Sequence, residues 1–237
     1  MNRRDFVRTC GLAGAAASVP ELVAQAWAQG DARPRFYGRA RLVDAAGVPI
    51  KSKQLPVGRN LIFHYPYEGT PCFLLNLGKP TRTSARLATA DKRVYEWSGG
   101  TGASGGIVAY SAICAHRLTY PTRDITFISY RAERTAANRH ARVIHCCSEH
   151  SQYDPAAGAR VVAGPAPQPL AAILLDYDSA ADELYAVGTT GGELFDEFFA
   201  KYQFRLALEH GGRAKAAVQG SCVVDALEQY CRQQVRC

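Results

Sequence analysis

The sequence has 237 residues, 47% of them apolar, and a formal net charge of +7. That length allows one large domain with an extension, and the apolar content supports a real core and excludes wholesale disorder. The 28 Lys and Arg residues are scattered, without the basic block that grips nucleic acid.

Residues 1–28 read as an address. Arg3-Arg4 and Phe6 open a weakly apolar stretch that ends at Ala26-Trp27-Ala28, the pattern of a twin-arginine export signal cleaved after Ala28. Pro20, Glu21 and Gln25 interrupt this stretch, which falls short of the ~20 apolar residues that cross a bilayer. The mature protein is therefore expected in the periplasm, peripheral to the membrane at most. There, spare cysteines can pair.

Residues 29–40 read as a flexible lead-in. From about Arg41 the chain becomes β-like: "RARLVD", "NLIFHYPY", "PCFLLNLG", "GIVAYSAIC", "DITFISYRA" and "ARVIHCC" are short runs of β-branched and aromatic residues, broken by Gly, Pro, Asn and Asp. "SGGTGASGG" reads as a connector into a strand over 107–111, because no Gly-Lys-Ser/Thr follows it. Residues 41–190 are thus read as one β domain. Residues 191–237 are read as a helical C-terminal extension covering one of its faces. Leu194, Phe195, Phe198, Phe199, Tyr202 and Leu206 recur at helical spacing, and "SCVVDALEQYCRQQVRC" reads as a second helix.

Two short stretches carry the chemistry. "CAHRLTYP" begins at Cys114 and "HCCSEHSQYD" at His145. Each follows a predicted strand, so each lies on a loop at a strand end. Together they offer two thiolates and two imidazoles, as Cys114-x-His116 and Cys147-x-x-His150. Zinc takes such a set, but structural zinc sites space their ligands as Cys pairs and His pairs. Boxes that mix one Cys with one His suit a [2Fe–2S] cluster with two cysteines on one iron and two histidines on the other. Cys146 keeps a Cys-x(3)-His alternative open. His64, His140 and His145 read as structural or surface histidines, and Cys72 as a buried thiol.

From about Ser104 to Gly188 the chain resembles the Rieske iron–sulfur proteins. After the second box come Ser151, Tyr153 and Asp154, then Gly158, then the loop Gly164-Pro165-Ala166-Pro167, then Leu170, in the order that family shows. The resemblance implies an antiparallel Rieske-type β-sandwich with a two-loop cluster-binding subdomain. It implies Cys114 and Cys147 on the inner iron, His116 and His150 on the outer one, hydroxyl hydrogen bonds to the cluster from Ser151 and Tyr153, and a cover formed by Gly164, Pro165 and Pro167. The family's spacing selects Cys147 over Cys146.

Three departures stand out. The positions of the family's inter-loop disulfide hold Thr119 and Glu149. The glycine usual between the second histidine and the serine is missing. The gap between the boxes is long, and "ISYRAERTAANRH" is read as a surface extension filling it. Of the remaining cysteines, Cys222, Cys231 and Cys237 are expected to share one disulfide, with no pairing legible for these or for Cys72 and Cys146. The implied function is one-electron relay, as an exported electron-transfer protein or the small subunit of a periplasmic oxidoreductase. The partner would be a molybdenum oxidoreductase large subunit, a cytochrome c or a cytochrome b. The alternatives are the Rieske subunit of a quinol-oxidising cytochrome bc complex and, from another class, a zinc-binding structural module.

Overall fold

The structure is a computed structural model and describes residues 32–81, 84–135 and 140–237. The expected export signal lies outside the described residues. Sixteen strands and three helices are described, and most strands fall into two sheets.

The larger sheet has eight strands, built on the buried pair β3 (Pro71–Asn76) and β6 (Ile107–Ser111). β2 (Leu61–His64) pairs with β3, and β12 (Ala172–Asp178) pairs with β6. β13 (Glu183–Thr190) joins β12 to β1 (Arg35–Val43). Both faces of this sheet are covered, and the two-residue alternation of a strand divides its side chains between two cores. Ile62, Phe73, Leu75, Val108 and Tyr110 enter one core, while Leu61, Phe63, Leu74, Ile107 and Ala109 enter the other. Burying each such large side chain stabilises the fold by about 1.5–3 kcal/mol.

The first of these cores is shared with a smaller four-stranded sheet of order β11-β10-β9-β8. Its strands are β8 (Ile128–Arg131), β9 (Val143–Cys146), β10 (Ser151–Asp154) and β11 (Arg160–Ala163). Ile128, Ile144, Cys146 and Tyr153 pack there with Tyr110 and Cys114. The expected β domain with a two-loop subdomain is what forms. The segment read as a surface extension starts as strand β8, and its residues 136–139 lie outside the described residues.

Three boundaries differ from the sequence reading. Residues 35–40, read as lead-in, belong to β1, because Ala40 is buried and pairs with Ala186. The helical stretch is two segments, α1 (Phe195–Lys201) and α2 (Gln203–His210), joined at Tyr202, with φ −109°. The i→i−4 bonds Tyr202 N–H to Phe198 O and Leu206 N–H to Tyr202 O carry on through the join. The expected apolar face is nevertheless buried: Phe195, Phe198, Phe199 and Leu206 pack with Ile113 and Tyr120.

The expected second helix does not form. Residues 221–237 instead hold most of β14 (Gly220–Val223), then β15 (Asp225–Ala226), a single turn α3 (Leu227–Tyr230) and β16 (Gln233–Gln234). β14 runs parallel to β1 and β15 antiparallel to β2 at opposite ends of the large sheet, so that sheet is mixed rather than purely antiparallel. β-branched Val223 and Val224 and buried Cys222 suit the pleated edge better than a helix, and tertiary pairing overrides helix propensity here.

Candidate metal centre

The first box follows β6. Cys114 N–H bonds Thr119 O at 2.8 Å and Leu118 N–H bonds Cys114 O at 2.9 Å, closing a tight loop with Leu118 at φ +60°. Cys114 is fully buried at its base, and His116 is half-buried. Tyr120 packs edge-on against Phe198 and Tyr202, with centroids at 4.8 and 4.9 Å, so α1 and α2 brace this loop. Lys201 Nζ donates to Arg117 O at 2.6 Å.

The second box is the turn of a hairpin. β9 and β10 are antiparallel, with Cys146 opposite Ser151, His145 opposite Gln152 and Ile144 opposite Tyr153. Opposed residues share a face. Ile144, Cys146, Ser151 and Tyr153 therefore face inward towards Cys114, while His145 and Cys147 belong to the other face.

This geometry sets the two neighbouring cysteines apart. Cys146, free and buried in the same core as Cys114, is the thiol that interacts with it. Cys147 is bonded to Cys237 in a disulfide, with Cα atoms 5.7 Å apart. A disulfide sulfur is not a thiolate, so Cys147 is not available as a ligand while that bond holds. The pairing also replaces the expected bridge among Cys222, Cys231 and Cys237, because Cys222 and Cys231 are free and buried.

Cys114 and Cys146 shift each other's titration in opposite directions. The hydrogen bond from Cys146, then that from Tyr153, favour the Cys114 thiolate against the burial that opposes it, and the same pairing pushes the Cys146 thiol up. Tyr153 is fully buried. Its hydroxyl lies 3.2 Å from Cys114 Sγ and accepts the Ala115 N–H at 3.1 Å. A Cys114 thiolate can only accept, so against it the hydroxyl is the donor. Burial, then the nearby Cys114, raise the phenol pKa and keep that proton in place.

Two further atoms complete the inner face. His116 Nδ1 and Ser151 Oγ are buried and have no hydrogen-bond partner. They are two of six such side-chain atoms among the described residues, and each belongs to a box with one of the thiols, His116 two residues from Cys114 and Ser151 opposite Cys146, so both are open to another group there. Two thiols and an imidazole nitrogen are three of the four ligand groups that a two-Cys, two-His cluster takes, and a hydroxyl beside them can donate to its sulfur, so the residues present fit one.

Gly164 holds the cover loop against this hairpin. A Cβ there would lie 2.4 Å from His150 O and 2.6 Å from Ser151 Cα, and φ is +84°. Pro165 and Pro167 are exposed on the same loop.

His150 is exposed, at φ +58°. Its ring lies 5.7 Å from that of His145. Ligand atoms of His145, His150 and Cys237 all fall within 4.8 Å of one another. His145, read as merely structural, is fully buried in this group. Burial, then His150 and Arg131, push its pKa down to about 4, so the imidazole is neutral at neutral pH.

No family model matches the chain. Among solved structures it is similar to the soluble domain of the Rieske protein II (soxF) from Sulfolobus acidocaldarius. The two are 30% identical, the match covers 65% of this chain and 78% of that one, and the TM-score is 0.44. The chain belongs to the Rieske family. Membership rests on that identity and coverage, together with the two boxes.

As a Rieske protein the chain implies an iron–sulfur cluster, and the hairpin shows where it departs from the family. The family's second box runs Cys-x-x-His-Gly-Ser. Counted from Cys146 to Ser151, this chain keeps that length. His150 then stands at the glycine position and adopts a left-handed conformation, and Glu149 stands at the histidine position. The missing strut between the boxes also has a counterpart. β16 pairs with β7 (Ile125–Thr126), just beyond the first box, and Cys237 ties the tail's end to the second.

Proposed function

We propose that this Rieske protein is an exported electron-transfer protein with a [2Fe–2S] cluster, serving alone or as the small subunit of a periplasmic oxidoreductase. One observation carries the reading: Cys114 and Cys146 stand together under the Tyr153 hydroxyl, beside two buried atoms, His116 Nδ1 and Ser151 Oγ, that lack partners.

Cys114 and Cys146 would hold one iron and His116 the other, with His150 as its second imidazole once the exposed turn swings it inward from His145 and Cys237. A cluster so bound supplies one-electron chemistry in the range of about −150 to +300 mV. Tyr153 stabilises negative charge on the Cys114 sulfur through its proton, which favours the reduced state and raises the potential. Ser151 Oγ is free to do the same. The loop held by Gly164 and the core around Tyr110 exclude water from the thiol side. His116, half-buried, carries the path towards the surface. Export rests on Arg3-Arg4 and the Ala26-Trp27-Ala28 site. The partner is proposed to be a molybdenum oxidoreductase large subunit, a cytochrome c or a cytochrome b.

The test is protein purified from cells competent in iron–sulfur assembly. Two irons and two acid-labile sulfides per chain, with an EPR signal on reduction, are expected. Cys146→Ser should lose the cluster and Cys147→Ser should keep it. A colourless wild-type protein without sulfide would refute the reading, and cluster loss in Cys147→Ser alone would return the ligand to Cys147.

A further inference from the structure

The outward face of β9 carries a second set of metal-binding groups. His145 and Cys147 lie on that face, opposite to Cys146. The C-terminal tail brings Cys237 to them. Val235 N–H bonds Thr126 O at 2.9 Å, the Arg131 guanidinium bonds Val235 O, and Thr135 Oγ1 bonds Cys237 O at 3.0 Å. The Cys237 sulfur lies 3.5 and 3.6 Å from the two ring nitrogens of buried His145. His150 reaches the same place from the turn, so that one donor atom each from His145, His150 and Cys237 lies within 4.8 Å of the others. Cys147 lies outside that trio and is tied to it through its bond to Cys237.

We propose that reduction of the Cys147–Cys237 disulfide opens a zinc(II) site made of Cys147, Cys237, His145 and His150. While the sulfurs are bonded to each other neither is a thiolate, and the site cannot hold a cation. A dithiol reductant supplies two electrons and two protons, becomes a disulfide itself, and leaves two thiols. Zinc binding then displaces their two protons. Two thiolates and two neutral imidazoles form a tetrahedral zinc set, with Zn–S at about 2.3 Å and Zn–N at about 2.0–2.1 Å, so the donors must end up about 3.3–3.8 Å apart. Closing from 4.8 Å asks for about an ångström of movement, which the exposed turn carrying His150 can supply.

The site lies on the face opposite Cys114 and Cys146 and shares only His150 with the proposed cluster, so it does not rest on the cluster reading. Because His150 cannot serve both, zinc and the complete cluster compete for it.

The test uses the full chain, with acid-labile sulfide measured first. Protein kept oxidised and protein treated with a phosphine reductant are each titrated with zinc against a chromophoric chelator, and with cobalt(II) as an optical probe. Reduced protein should bind one zinc per chain at least about tenfold more tightly than oxidised protein, and cobalt should give thiolate charge-transfer absorption. Cys237→Ser and His145→Asn should each lose that gain, while Cys146→Ser should keep it. Cys237 is the terminal residue, so its variant remains informative if His145→Asn fails to fold. Equal binding by oxidised and reduced wild type, undiminished binding by reduced Cys237→Ser, or loss of the gain in Cys146→Ser would overturn the proposal. Sulfide-free protein with reduction-gated zinc sinks the cluster reading alone, whereas normal sulfide as purified, with no gated zinc after the cluster has been stripped from that same protein, sinks this proposal alone.

Discussion

Replacing Cys237 with serine opens the bond to Cys147, which closes a loop of 90 residues. In the chain-entropy treatment a cross-link of that span removes about 15 cal/mol/K from the unfolded chain, or about 4.6 kcal/mol at 25 °C. For a domain of this size, 1 kcal/mol moves Tm by roughly 2–4 °C, so the loss corresponds to roughly 9–18 °C. The assay is a thermal melt followed by circular dichroism, with chelator present throughout so that no metal replaces the bond. Cys147→Ser, Cys237→Ser and the double variant should all fall by the same amount, since each breaks the same link. Reductant should bring wild type to that value and leave the variants unmoved. A fall under about 2 °C would refute the reasoning. So would exchange protection lost only at β16 and β7, since that would make the bond a local clip on the tail.

Three other substitutions probe separate parts of the molecule. Tyr153→Phe removes the proton on Cys114 and strands the Ala115 N–H; it should destabilise by about 1–3 kcal/mol in urea melts and lower the reduction potential in voltammetry. Gly164→Ala drives a Cβ into the backbone at His150–Ser151, at a φ of +84°, so a loosened hairpin should appear as faster exchange of the β10 amides and faster sulfide release. His64 is held at a pKa of about 3 by burial, then by His210 and Arg123. A folded pKa below the unfolded 6.5 means that stability is full above pH 6.5 and drains away as the pH falls towards 3. In urea melts the wild type should therefore lose about 1–3 kcal/mol relative to His64→Gln between pH 7 and pH 4. A gap that stays constant across that range would count against this account.

Much of the centre was legible in the sequence because its signals are local. Cys114-x-His116 sits after a strand, and the second Cys–His box follows another. "SQYD" forms the hairpin's return strand, where the Tyr153 hydroxyl meets Cys114, and "GPAP" forms a loop that packs closely on His150 and Ser151 at Gly164. The apolar spacing from Leu194 to Leu206 likewise marked the face that packs on the first box.

What the sequence by itself determined is the family, the mainly β architecture and the two boxes, because short-range spacing and strand alternation are written along the chain. Only the tertiary structure decided which of two adjacent cysteines turns inward. On a strand a shift of one residue reverses the face, and spacing alone left Cys146 and Cys147 nearly equivalent. The pairing of β9 with β10 puts Cys146 on the core face and Cys147 outside it. The partner of Cys147 comes from 90 residues away, carried by a tail that reads as helix yet forms short strands because sheet edges were there to receive it. Contacts over that distance leave no periodic trace, so His145 and Cys237 become neighbours only once the chain has folded.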